Sequence, residues 1–153
     1  MASWIFVTNR KSYPGIDSDW KSQRRSMPWI VKQYKLPLDS AIGDEVYLYS
    51  AGNGIIARGL ITGVAYSNLD LSGWTAEAQK VLKANRGLKQ VPIDSIDWLM
   101  GNQAIPMQLL KEQVLDSDSV FLARNGNGSN FPLSATECTT LTQLWLTRKS
   151  ITP

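Results

Sequence analysis

The spacing of apolar and polar positions changes period several times along the chain, and each change predicts an element. Residues 3–8, SWIFVT, are aromatic and β-branched and read as a first strand. From Asn9 to Lys35 the chain is polar and basic, broken by Pro14-Gly15 and Pro28, and reads as loop with a short helix around DSDWKSQRR. LPLDSAIGDE then leads into the clearest hairpin, where EVYLYSA and GIIARGLITGVAY flank Gly52-Asn53-Gly54. Asn-Gly between two β-prone runs supplies the backbone freedom that a tight hairpin turn needs. Gly59 and Gly63, inside the returning strand, predict bulges or sharp bends that curl a sheet towards a barrel.

A helical period follows in SGWTAEAQKVLKANRG, with Trp74, Ala78, Val81 and Leu82 on one stripe, Ser72 as N-cap and Gly87 as stop. QVPIDSIDWLM predicts a strand pair or one bent strand, IPMQLLKEQ a short helix with Pro106 in its first turn, and DSVFLARN a further strand. Ser134 and Glu137 have the spacing of a capping box, with Leu133 and Cys138 placed to staple the entry. Leu141, Leu144 and Trp145 share one face of the helix that follows, and the closing TRKSITP reads as a frayed tail. Strands and helices are interspersed without regular βαβ alternation. The expected fold is therefore α+β, a mainly antiparallel, curved, barrel-like sheet with flanking helices in a single domain, 1–153.

Composition narrows the chemistry. The chain is 43% apolar and 19% charged, without a run long enough for a membrane span, and its first residues have no basic, apolar, small-residue leader pattern. A cytoplasmic protein is expected, with no membrane partner. There is no histidine, which removes the usual general base and the commonest metal ligand. Cys138 is the single cysteine, so no disulfide or thiolate zinc site forms within one chain, and it reads as a small apolar filler. Neither phosphate-loop signature occurs, and no cofactor or metal is expected.

Charge is uneven. Residues 1–35 hold seven basic side chains against two acidic, a balance of +5, and the remainder nine against eleven, −2. A basic first segment suits a phosphate backbone, and it equally suits an ordinary solvated surface. Within it, DWKSQRRSMPW interleaves Trp20 and Trp29 with arginines. Flat π surfaces beside guanidinium groups can stack on a base while its phosphate is neutralised; the same rings can anchor a long loop to the barrel. Of the other tryptophans, Trp4, Trp74, Trp98 and Trp145 sit in apolar, periodic contexts and read as core. Tyr47 and Tyr49 share one strand face, and line a concavity or pack. RNGNGSNFPLSATE joins Arg124 to an amide-rich loop and Phe131; its asparagines offer donor and acceptor to a base edge, or simply make turns. The carboxylate pairs Asp94 with Asp97 and Asp17 with Asp19 could serve acid/base catalysis or hold magnesium, and more often such pairs form turns and caps.

Two blocks carry a family resemblance. IGDEVYLYSAGNGIIARGLITGVAY, Ile42 to Tyr66, resembles the Gly-Asp strand, turn and Gly-rich returning strand of EVE domains, members of the PUA-like superfamily related to YTH domains. FLARNGNGSNFPLSATECTTL, Phe121 to Leu141, is similar to the segment leading into the last helix of EVE-like modules, including those joined to HNH nucleases. The resemblance covers roughly a third of the chain. It implies a PUA-like pseudo-barrel whose concave pocket takes in a flipped, often modified, nucleobase through an aromatic cage and a few amide hydrogen bonds. By position it implies cage rings at Trp20 and Trp29, a wall at Tyr49 and Ser50, and a final motif at Asn130 and Phe131.

MPWIVKQYK stands where the commoner EVE type carries Trp, Arg and Asn, which leaves the bound base open. No HNH motif is present, so any nuclease or effector is a separate chain. The resulting expectation is a non-enzymatic reader of DNA or RNA. Trp20, Trp29 and Phe131 would stack, Asn9, Ser50 and Asn130 read base edges, and Arg10, Arg24, Arg25 and Arg124 meet phosphates. Its rivals are a protein-interaction adaptor and, more distantly, a carboxylate-based hydrolase.

Overall fold

The computed structural model describes residues 2–8, 16–32, 42–63, 88–119, 121 and 130–153, with the backbone alone for 27–32, 88–90 and 130. In chain order the elements are β1 (Ser3–Thr8), α1 (Ile16–Ser22), β2 (Met27–Lys32), β3 (Glu45–Ser50), β4 (Gly54–Ile61) and β5 (Leu88–Trp98). A 3-10 turn (Gly101–Gln103), α2 (Met107–Leu109) running into a π turn (Leu110–Val114), β6 (Asn130–Leu133) and α3 (Ala135–Lys149) complete them. The strands form one sheet in the order β2-β5-β4-β3-β1-β6. β1 and β3 are parallel and the other four pairings antiparallel, so the fold is the expected α+β with a mainly antiparallel sheet. Among the described residues β2 and β6 do not pair with each other, and the sheet stays open.

Alternation along β1 and β3 divides the core between the two faces. Trp4 and Phe6 join Val46 and Leu48 on one face, where Ile16 of α1 and Trp98 of β5 complete the packing. Ile5, Tyr47 and Tyr49 face the other way, onto Leu141 and Trp145 of α3. Tyr47 meets Trp145 edge-on at 5.9 Å, and its hydroxyl pairs with Thr142 Oγ1 at 3.1 Å. Arg58 places its guanidinium 5.3 Å from the centre of the Trp145 ring, with Nη1 buried and without a hydrogen-bond partner among the described residues. The α3 entry is the expected capping box: Glu137 N donates to Ser134 Oγ at 3.0 Å, and Ser134 N donates to Glu137 Oε1 at 2.9 Å. Leu141 and Trp145 are buried and Leu144 partly so, as the spacing predicts.

The sheet bends where its sequence predicts. Register shifts between Arg58 and Leu60, opposite a β5 that turns at Ser95 with φ +55°. A side chain at Gly59 would stand 2.8 Å from Ile93 Cγ2 and 3.0 Å from the Asp94 carbonyl, so only glycine lets β4 lie this close to β5. QVPIDSIDW thus belongs to one bent strand, with Leu99 and Met100 beyond its end.

Two expectations change. MPWIVK is a strand, not loop: β2 is an outer strand of the described sheet, with Pro28 directly opposite Pro92. Proline has no N–H to give, which an outer strand tolerates because one of its sides needs no partner. The C-terminal segment is docked rather than frayed. Gln103 Nε2 donates to the carbonyls of Lys149 and Ile151 at 2.9 and 2.8 Å. Lys149 Nζ reaches Asp97 at 2.8 Å and the Trp98 carbonyl at 2.6 Å, and Arg148 Nε donates to the Gln103 carbonyl at 3.1 Å. Such long-range side-chain bonds leave no periodic trace in a sequence. The helix expected at 72–87 lies outside the described residues, as does most of the strand expected at 118–125.

Candidate nucleic-acid interface

Strand register brings several separate segments to one end of the sheet. Parallel pairing sets Thr8 opposite Ser50, so β1 and β3 finish level, and Ala51 N extends the ladder to the Thr8 carbonyl at 2.8 Å. β4 starts there, Gly54 opposite Ser50. β6 enters opposite Phe6 with Asn130, and β5 leaves where Leu99 N donates to the Ile56 carbonyl at 2.8 Å. Trp20, at the end of α1, joins the same end: its Nε1 donates to the Leu99 carbonyl at 2.7 Å, and its ring packs half-buried on the face of Phe6 and Leu48.

Of the sequence-predicted site residues, Trp20, Tyr49, Ser50, Asn130 and Phe131 come to this end. They do not share one face. Phe131 is 1% exposed and meets Phe121 edge-on at 5.2 Å; Phe121 meets Tyr49 at 5.5 Å, and all three lie on the α3 side. Burial pushes the Tyr49 hydroxyl above the usual tyrosine range. Thr8 and Ser50 alternate to the Trp20 side, both buried, Ser50 to 1% exposure. Trp29 pairs with Val91, beyond the Ile93 that faces Ile61 at the far end of β4, so the ladder does not set it beside Ser50. Asn9, Arg10 and Arg124 lie outside the described residues, although Asn9 directly follows Thr8 and Arg124 precedes β6 by six positions.

The described basic residues differ. Arg24 is tied down: Nε donates to the Ser26 carbonyl at 2.9 Å and Nη1 stands 3.4 Å from Asp19. Its own carbonyl accepts from Trp98 Nε1 at 2.7 Å, and the Arg25 carbonyl accepts from Ile96 N at 2.9 Å, which clips this segment to β5. The Arg25 side chain is exposed.

The acidic residues are locally engaged. Asp94 Oδ1 accepts from Ser95 N at 2.7 Å, Asp97 from Lys149, and Asp17 and Asp19 occupy the first turn of α1. No group of three potential metal ligands occurs among the described residues. Cys138 is half-buried, its Sγ 2.9 Å from Ser3 Oγ.

Sequence reading missed Asn53, taken only as a turn former. Its Nδ2 donates to Ser50 Oγ at 3.3 Å, and its backbone N to the Ser50 carbonyl at 2.9 Å. A serine three positions before an asparagine across a Gly-flanked turn is the signal that could have found it.

No protein-family model matches the chain, and no curated protein does. Solved structures do. A hypothetical protein from Leishmania major superposes with a TM-score of 0.66 at 15% identity, covering 97% of each chain. The DUF55 domain of human thymocyte nuclear protein 1 gives 0.62 at 16%, covering 97% of this chain and 99% of that one. The chain shares the fold of these structures, as its resemblance to PUA-like modules implied. Human THYN1 protein, solved in complex with 5-methylcytosine containing DNA, superposes at 0.59 and 17% identity over 100% of both chains. At these identities the likeness is one of fold, and it spans the whole chain. No helix among the described residues is long and apolar enough to cross a membrane.

Proposed function

We propose that this chain is a single, non-enzymatic nucleic-acid-binding module that takes one nucleobase, flipped and modified, into the end of the sheet where β1, β3 and β6 meet. The observation that carries the reading is the register that ends β1 and β3 level at Thr8 and Ser50 and starts β6 beside them, Asn130 entering opposite Phe6, two positions before Thr8. A fold shared with a protein solved on methylated DNA supports it. Ser50, Asn9 and Asn130 read the base edge. Trp20 offers a half-exposed ring whose N–H is already satisfied by Leu99, so it can stack without losing a hydrogen bond. Tyr49 and Phe131, buried against Phe121, support the wall rather than meet the base face-on. Trp29 remains a cage candidate that must reach the base from β2. Arg25, with Arg10, Arg24 and Arg124, meets phosphates, which sets affinity and its salt dependence while the pocket sets selectivity. Nuclease or effector activity belongs to a separate chain, and the site of action is the cytoplasm.

The engagement of Asp94 and Asp97 by Ser95 and Lys149 suits structural carboxylates and weighs against the hydrolase. The test is fluorescence anisotropy at low salt with matched DNA and RNA oligonucleotides, plain or carrying methylated or hydroxymethylated cytosine or methylated adenine. Preference for one modified base, lost in Trp20→Ala while affinity for plain duplex stays within about threefold, is the expected result. Indifference to the whole panel would sink the reading and leave the adaptor.

A further inference from the structure

Ser50 and Asn53 carry a polarity that the strand pattern does not express. A serine hydroxyl has one hydrogen to give and two lone pairs to accept with, and which role it plays is set by its neighbour. Here the neighbour is the Asn53 amide nitrogen, which can only donate, at 3.3 Å from Ser50 Oγ. Ser50 Oγ is therefore the acceptor in this pair, and its own hydrogen points elsewhere. Among the described residues that hydrogen has no acceptor, although Ser50 is 1% exposed. A buried donor without a partner is costly and is ordinarily met by something. Asn53 is held for this task, because its backbone N also donates to the Ser50 carbonyl at 2.9 Å. The Gly52 and Gly54 on either side, with φ +87° and +102°, fold the turn back far enough for the amide to reach the hydroxyl.

We infer that Asn53 is a positioning residue that fixes Ser50 as a hydrogen-bond donor, so that the site selects a base edge presenting an acceptor, a carbonyl oxygen or an unprotonated ring nitrogen. The inference rests on the base-reading function proposed above. It adds the chemical sense of the contact and a residue that does not itself touch the base. An aspartate at position 53 has only acceptors at neutral pH. It would turn the Ser50 hydrogen towards itself and reverse the contact offered to the ligand, whereas alanine would merely release it.

The experiment is anisotropy titration of the full chain with a labelled DNA duplex carrying one 5-methylcytosine, and with the same duplex abasic at that position. Wild type is expected to prefer the base. Asn53→Asp and Ser50→Ala should each reduce that preference roughly tenfold, Asn53→Ala about threefold, and Asn53→Asp should add nothing in the Ser50→Ala background. Affinity for the abasic duplex should stay constant, which separates the polarity effect from charge repulsion by phosphates.

Equal preference in Asn53→Asp and wild type would overturn the inference while leaving the base-reading function standing. So would equal losses in Asn53→Ala and Asn53→Asp, the mark of a purely structural turn residue. Equal binding of both duplexes by wild type would overturn 5-methylcytosine reading and this inference with it.

Discussion

The two ends of the sheet handle buried polar groups differently. Where β1 and β3 start, Asp44 is buried and fully employed: Oδ1 accepts from Ala2 N at 3.0 Å, Oδ2 from Trp4 Nε1 at 2.9 Å, and its carbonyl from Ile61 N at 3.0 Å. Gly43 N closes the corner by donating to the Ile61 carbonyl at 2.8 Å. Where the same strands finish, Ser50 is buried more deeply yet has one long hydrogen bond and a hydrogen to spare. A carboxylate saturated by the backbone and an indole specifies a fold. A hydroxyl left half-satisfied keeps a donor to offer, the role proposed above for Ser50.

Substitutions at the two ends should therefore separate stability from binding. The largest expected effect is at the saturated end. Asp44→Ala leaves the Trp4 indole N–H and the Ala2 N–H without their acceptor, and should cost about 3 kcal/mol in urea unfolding. Base preference per folded molecule should be unchanged; a loss of preference would erase the contrast.

Gly59→Ala comes next, at the same end, since Gly59 pairs with Val46. Its methyl group would press on Ile93 and on the Asp94 backbone, at a cost of about 2 kcal/mol measured the same way. A neutral result would mean that β4 and β5 can part there.

A smaller effect sharpens the role of the middle of β3. Burial raises the Tyr47 pKa well above the ordinary tyrosine value, with the Thr142 hydrogen bond acting in the opposite direction. Above about pH 10 an unfolded tyrosine loses its proton while folded Tyr47 keeps it. The unfolded state then binds fewer protons, and stability falls as pH rises. Tyr47→Phe should flatten part of that alkaline fall, with buried Tyr49 supplying the rest. At neutral pH it should cost about 1 kcal/mol for the lost hydroxyl contact. An alkaline limb that is identical in the phenylalanine variant would count against a buried Tyr47.

The smallest stability change is expected at the other end. Ser50→Ala should shift unfolding by about 0.5 kcal/mol or less, because it removes one long hydrogen bond and also a donor with no acceptor. Thermal or urea unfolding checks it, and a loss comparable to Asp44→Ala would place Ser50 among the groups that hold the fold.

Local order was legible wherever neighbouring residues decide it. β1, the Gly52-Asn53-Gly54 turn, the bend at Gly59, the Ser134 capping box and the buried stripe of α3 each follow from propensity, periodicity or a short motif. β2 was not legible, because its tolerance of Pro28 depends on being the outer strand, and strand order is not written in any single stretch. The docked C-terminus was hidden for a similar reason: Gln103 and Arg148 are polar residues whose partners lie about forty-five positions away. At the candidate site, residue types together with the family resemblance grouped Ser50, Tyr49, Asn130, Phe131 and Trp20 as one expected site. They could not say that Tyr49 and Phe131 turn into the α3 side while Ser50 turns towards Trp20.

By itself, the sequence determined β1, the β3–β4 hairpin, α3, much of the described core and the absence of imidazole chemistry, since these depend on residue type and short spacing. Only the tertiary structure decided which ends coincide and which polar groups are left wanting. A parallel β1·β3 register and the reach of the Asn53 amide are relations between distant or folded-back atoms, and they exist only once the sheet has formed.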